Sequence, residues 1–260
     1  MFSVDRERVR RVFAAYAARY DDTNPKIRLK IDHTYRVAAL CDAISSSLAL
    51  TPGDRDLAWI IGMLHDVGRF EQVRRYNTFS DADSVDHASL GAELLFEQGL
   101  IRDYLDTPEE YALIRLAIAS HSLYRLPDGL SERELLFCKL IRDADKIDIL
   151  KVNCLTPMED IYNTTTSELR KAAITPAVMN AFYEEHTVLR SLRKTPVDHL
   201  ISLLSLTYEL EFPVSLQIVQ QQGYLEKLLQ FESDNADTRA QLATAQKHMT
   251  GYLHRHLQNS

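Results

Sequence analysis

Three cysteines, Cys41, Cys138 and Cys154, are scattered along 260 residues with no CxxC pair, which excludes a disulfide framework and a structural zinc ribbon. Glycine and proline are scarce, eight of each, too few for a chain of tight turns, so helices are favoured over a β-sandwich. No stretch approaches the roughly 20 apolar residues needed to cross a bilayer. The opening MFSVDRERVRRVF puts charges where a secretory leader needs an apolar run, so a cytoplasmic protein without membrane attachment is expected. Positive charge is not in excess either. The net charge of -7 repels nucleic-acid phosphates, which argues against a stable nucleic-acid complex while leaving room for a local basic patch that receives a small anion. No segment alternates with period two long enough to force a sheet, and no internal repeat is visible.

What is present is an ordinary globular balance, 45% hydrophobic and 26% charged, arranged with helical periodicity. Val9, Val12, Phe13, Tyr16 and Tyr20 form one stripe over residues 4–20. Helices follow at about 27–48, 54–65 and 87–99, with Thr51-Pro52-Gly53 as a break and 67–85 read as a polar loop. Thr107-Pro108-Glu109-Glu110 reads as a helix start running to about His121, and Ser131 to Glu134 has capping-box form before a helix to about Val152. Further starts are expected at Pro176 and Pro196, and the apolar stretch 197–211 suits a core or a self-association surface equally. The expected organisation is an all-α chain: a helical domain over 1–157, packing helices over 158–231, and a polar tail or exposed helix over 232–260.

The candidate chemistry lies on inward-facing positions. His65-Asp66 closes the apolar run Ile60-Ile61-Gly62-Met63-Leu64, and a buried carboxylate needs pairing or coordination. His33 lies on the stripe Leu29, Val37, Leu40, Ile44. Asp145 follows Leu140 and Ile141 on an inward face, with Asp148 one turn on. His87 shares a face with Leu90, Gly91 and Leu94; His121 follows Ile114, Ala117 and Ile118. Burying four histidines and two aspartates from five helices is most simply explained by shared metal coordination. The mixed His and carboxylate set suits divalent Mn, Fe, Co, Ni or Zn better than magnesium alone.

The order His33, His65-Asp66, Asp145 resembles the HD superfamily of metal-dependent phosphohydrolases, supported by Asp32-His33-Thr34-Tyr35-Arg36-Val37, Leu64-His65-Asp66-Val67-Gly68-Arg69 and Arg142-Asp143-Ala144-Asp145-Lys146-Ile147-Asp148. The resemblance covers about residues 25–155 and implies an HD-like helical bundle with additional C-terminal helices. Interposed His87 and His121 resemble the extra histidines of dinuclear branches. By that resemblance His33, His65, Asp66 and Asp145 hold one ion, and Asp66, His87 and His121 the other.

The activity so implied is hydrolysis of a phosphate ester of a nucleotide or other small phosphorylated metabolite by a metal-activated water. Arg69 and Lys146 are the candidate phosphoryl contacts, and Arg74 and Arg75 read as a solvated loop. The Gly-Tyr-Pro signature of cyclic-di-GMP phosphodiesterases is absent, so that substrate is not assigned, and Glu71 receives no catalytic role. Residues 76–86 carry Asp81, Asp83 and Asp86 but lack the glycine and distal glutamate of an EF-hand, and are read as an entrance loop. His248, His254 and His256 are expected on the surface. Two other classes compete: a di-iron oxygenase of the HD type, which shares the ligand order, and a non-catalytic nucleotide-sensing or protein-binding domain.

Overall fold

The structure, a computed structural model, describes residues 2–157, 161 and 164–258. Helices dominate these residues and no strand occurs among them. The chain divides into two compact units, Met1–Asp145 and Lys146–Ser260. The expected start of the second segment at 158 lies outside the described residues. The division falls earlier, inside a single long helix.

In the first unit the elements are α1 (Arg6–Ala17), α2 (Pro25–Ser47), α3 (Pro52–Leu64), α4 (Val67–Tyr76), α5 (His87–Ala92), α6 (Ile101–Tyr104), α7 (Tyr111–Ser120) and the start of α8 (Glu132–Leu155). Local chemistry sets several of these ends. Asn24 caps α2 through Lys26 N and Thr51 caps α3 through Asp54 N, each with proline in the first turn. The Ser131–Glu134 capping box forms, the Glu134 carboxylate accepting from Ser131 N at 2.8 Å.

Two expectations are corrected. Residues 67–76 are helical, with Val67, Phe70 and Val73 buried and also Glu71 and Gln72. The helix expected from Thr107 begins only at Tyr111, because Pro108 O closes a turn with Tyr111 N and Glu110 takes the cap position without a side-chain bond.

α2 and α3 form the central pair of this unit. Their backbones cross so closely at Gly62 that a Cβ there would stand 2.7 Å from Ala38 Cα. α1 fastens α4: the rings of Phe13, Tyr16 and Tyr20 surround Phe70, and the Tyr16 hydroxyl donates to Val67 O at 2.9 Å. Tyr20 donates to Glu71, whose other oxygen pairs with Arg74 and Arg75.

The second unit contains the rest of α8, then α9 (Thr166–Lys171), α10 (Pro176–Tyr183), α11 (Asp198–Ser205), α12 (Pro213–Gln222), α13 (Tyr224–Leu229) and α14 (Ala236–Leu257). The stretch expected as a polar tail or exposed helix is α14, a helix with a buried face of Thr238, Leu242, Ala245, Met249, Tyr252 and Leu253. His254 and His256 are exposed, but His248 is half-buried, 3.1 Å from Glu185 and ringed by Phe182, Tyr183 and Tyr208.

Asp198 organises the entry to α11. Its fully buried carboxylate accepts from Thr175 N and Oγ1 at 2.8 and 2.6 Å, Lys194 N at 2.8 Å and Thr195 N at 3.0 Å. Burial alone would raise this carboxyl, but the Thr175 hydroxyl and the backbone amides outweigh it and hold it below its ordinary value. Its contribution is therefore complete at neutral pH and is lost on acidification below about pH 4. Asp198→Ala strands these donors, so urea unfolding at pH 7 should show a loss of about 3 kcal/mol or more. A loss under about 1 kcal/mol would contradict the assignment.

Candidate metal centre

The breaks between helices deliver most of the candidate ligands. α3 ends at Leu64; His65 stays near helical geometry, and Asp66 departs from it (φ -111°, ψ 15°) before α4 begins. Asp66 occupies the N-cap position, where an aspartate ordinarily turns back to bond the helix amides. It makes no such bond. Its carboxylate faces imidazoles instead. His87 opens α5 behind the Asp86 cap, and His121 follows the last residue of α7. His33 and Asp145 come from within α2 and α8. His33, His65, Asp66, His87 and His121 are each at most 4% exposed.

The six side chains converge within the first unit. Asp66 Oδ2 lies 3.5 Å from His33 Nε2 and 3.4 Å from His65 Nε2. The other oxygen, Oδ1, lies 3.5 Å from His87 Nε2 and 3.9 Å from His121 Nε2. Asp145 Oδ1 stands 3.1 Å from His33 Nε2 and 3.8 Å from His65 Nε2. The ligand atoms cluster as His33, His65 and Asp66; as His65, His121 and Asp145; and as Asp66, His87 and His121. One carboxylate thus presents a separate oxygen to each of two histidine pairs.

Ring orientation follows from what each Nδ1 meets. In His65 it bonds Gly62 O at 2.8 Å, and in His121 it bonds Ile118 O at 2.7 Å. A carbonyl only accepts, so both rings carry the proton on Nδ1 and turn the Nε2 lone pair inward. His87 Nδ1 bonds the Asp81 carboxylate at 2.8 Å, which leaves its Nε2 in the same state. His87 Nε2 and His121 Nε2 then face each other 3.1 Å apart as two lone pairs, an arrangement that a cation between them relieves. Two ligand atoms on one ion with bonds of about 2.1 Å are about 3.0–3.4 Å apart, close to the spacings here. The donor set fits divalent transition metal.

Charge is arranged to match. Burial, the largest influence, pulls the His121 imidazole down to about 3, helped by neighbouring His87 and His65, and likewise lowers His87. Both stand neutral, the ligating form. Burial alone would raise Asp66 and Asp145, but Lys30 and the histidines outweigh it at Asp66, and His33 does so at Asp145. Both carboxyls are held below the ordinary carboxylate range, ionised and able to ligate.

Lys30, Asp81 and Arg142 are parts of the centre that sequence reasoning missed. Lys30 Nζ is 2.5 Å from Asp66 Oδ2 and packs on the Phe79 ring. It precedes His33 by one helical turn, and that spacing was the available signal. Arg142 donates to the carbonyls of Ser120 (3.4 Å), His121 (3.2 Å) and Leu123, tying the end of α7 to the helix that carries Asp145.

The cations expected at the phosphoryl group are placed differently from one another. Arg69 gives one terminal nitrogen to Gln72, Phe79 O and Asp81, while its buried Nε has no hydrogen-bond partner and lies 3.7 Å from Asp66 Oδ1. Lys146 follows Asp145 on α8 and pairs with Glu209 Oε2 at 3.1 Å within the second unit, where Asp148 is also buried. Arg74 and Arg75 are exposed and pair with Glu71.

The family model described as HD domain matches residues 31–150, a span holding all six candidate ligands together with Arg69, Asp81 and Lys146. No curated protein and no solved structure matches the chain.

Proposed function

We propose, given that residues 31–150 are an HD domain, that the chain is a metal-dependent phosphohydrolase acting on a nucleotide or other small phosphorylated metabolite. The observation that carries this reading is the double-facing Asp66, one oxygen toward His33 and His65 and the other toward His87 and His121. Such a carboxylate suits two ions. Asp145 completes the first set with His33 and His65. Divalent ions held there supply an acidified water and a clamp on phosphoryl oxygens.

The chain's own residues do the rest. Asp66 and Asp145 neutralise part of the bound cationic charge and fix its position. The Nε2 atoms of His87 and His121, held neutral by burial, set the ligand geometry without a proton to lose. Arg69 Nε and Lys30 Nζ, both beside the Asp66 carboxylate, are cations suited to an anionic phosphoryl group. The net charge of -7 favours a small phosphorylated substrate over nucleic acid. No helix among the described residues is long and apolar enough to cross a membrane.

The test pairs metal content of the purified protein with hydrolysis of p-nitrophenyl phosphate and bis-p-nitrophenyl phosphate in Mn²⁺, before and after chelation. Hydrolysis that is lost on chelation and returns with Mn²⁺ is the expected result, and the preferred ester separates monoester from diester chemistry. A metal-loaded protein that cleaves no phosphate ester overturns the reading. Iron binding with oxygen uptake in place of hydrolysis would transfer it to the oxygenase class.

A further inference from the structure

We infer that Asp81 is a positioning residue that builds the second ion site, by fixing the His87 ring so that Nε2 points at Asp66. The inference rests on the metal-centre reading above, not on the identity of the substrate. Asp81 lies in a short helical turn, Asp81–Asp83, six residues before His87 and outside α5. Its carboxylate meets His87 Nδ1 through both oxygens, at 3.0 and 2.8 Å. A carboxylate there admits only the Nδ1–H form of the neutral ring and holds the ring plane, which directs the Nε2 lone pair toward Asp66 Oδ1 and His121.

Asp81 is itself held from the protein side. Arg69 and the Gln72 amide each donate to its Oδ1 at 2.8 Å. The same Gln72 nitrogen reaches Ser84 Oγ at 2.9 Å and Val85 O at 3.0 Å, and Arg69 reaches Phe79 O at 2.8 Å. Every one of these donors lies on α4, so α4 clasps the segment 79–85 and presents one carboxylate to His87. The consequence is a coupling: the second ion position is complete only while this segment is docked on α4. By linkage, an ion at that position holds the segment down.

This assigns Asp81 a part that differs from both obvious alternatives. As a direct ligand it would approach Nε2 atoms, but it bonds the opposite nitrogen of His87. As a mere loop anchor it would satisfy Arg69 and Gln72 and leave His87 alone. In His65 and His121 the Nδ1 atom, opposite the inward Nε2, leans on a backbone carbonyl, which no substitution removes. At His87 the support is a side chain and therefore open to mutation.

The experiment uses the full chain. Ring ¹⁵N shifts of His87 in the metal-free wild-type protein should report a protonated Nδ1 and an unprotonated Nε2. The opposite tautomer overturns the proposal with no variant needed. Asp81→Asn keeps one acceptor oxygen for Arg69 and Gln72 and sets an amide nitrogen, a donor, against the His87 Nδ1–H where Oδ2 stood. Mn²⁺ titration should show one binding step weakened by about 10- to 100-fold with the other within about 2-fold of wild type, and amide exchange over residues 79–85 should lose its Mn²⁺ protection. Equal titrations for wild type and Asp81→Asn, where the wild type binds two ions, overturn the inference alone. A wild type that binds fewer than two ions overturns the two-ion reading beneath it.

Discussion

Asp66→Ala should abolish binding of both ions and lower phosphate-ester hydrolysis by on the order of 10³-fold or more, since metal ions contribute several kcal/mol at a developing phosphoryl charge. The reason is geometric. Asp66 gives Oδ2 to the His33–His65 pair and Oδ1 to the His87–His121 pair, so one truncation removes an oxygen from each set. Other single truncations divide the effect. Asp145→Ala takes the oxygen that stands nearest His33 and His65, and His87→Ala takes a nitrogen from the other side. The expected order is two ions lost for Asp66→Ala and one for each of the others. Metal analysis after dialysis, with far-UV circular dichroism to check folding, decides it. Asp66→Ala that keeps two ions at wild-type affinity would remove the shared carboxylate from the scheme.

Much of this centre was legible because the six candidate ligands fall on apolar stripes, where histidine and aspartate are conspicuous. The positions of their supports were not. Asp81 and His87 are six residues apart with a turn between them, so no helical face joins them, and only the folding-back of 79–85 onto α4 does. α4 itself reads as loop because Glu71, Gln72, Arg74 and Arg75 dominate its composition. Yet Glu71 and Gln72 are buried, one bonded to Tyr20 and the other to Asp81, Ser84 and Val85. A buried polar residue with partners distant in sequence looks the same as a surface one until the partners are known.

At α14 the expected exposed helix or tail left out only the buried face. Leu242, Ala245, Met249, Tyr252 and Leu253 are spaced as a helix face should be, but small and polar neighbours mask the stripe. Composition outvoted periodicity there. The all-α class survived these misreadings because it depends on the many segments with clear 3.6-residue patterning, α2, α3, α7 and α8 among them.

Gly68→Ala should release the second ion while leaving the first, and it should do so against the intrinsic preference of the helix. Alanine is favoured over glycine in a helix interior by about 1 kcal/mol, so open space at residue 68 would make the change stabilising. The space is closed. A Cβ on Gly68 would stand 2.2 Å from His87 O, 2.6 Å from Gly91 N and 3.1 Å from Gly91 Cα, all of them backbone atoms of α5. Backbone cannot rotate away, so α5 must move from α4, and His87 is its first residue. Overpacking of this kind costs about 1–3 kcal/mol or more. A displacement of about 1 Å at a site of this type is enough for on the order of 10²-fold in function.

Two neighbouring glycines make the prediction sharper. Gly62→Ala drives a Cβ to 2.7 Å from Ala38 Cα between α2 and α3, the helices that bring His33 to His65, so it should weaken the first ion instead. Gly91→Ala meets Gly68 N at 3.3 Å and the flexible Val67 side chain at 3.5 Å, a contact that a few tenths of an ångström relieve. Its strain and its helical gain nearly offset, and it should keep both ions with stability within about 1 kcal/mol of wild type. Mn²⁺ titration and urea unfolding of the three variants test the series together. A Gly68→Ala protein that is more stable than wild type and binds both ions unchanged would mean that the α4–α5 crossing does not set the position of His87.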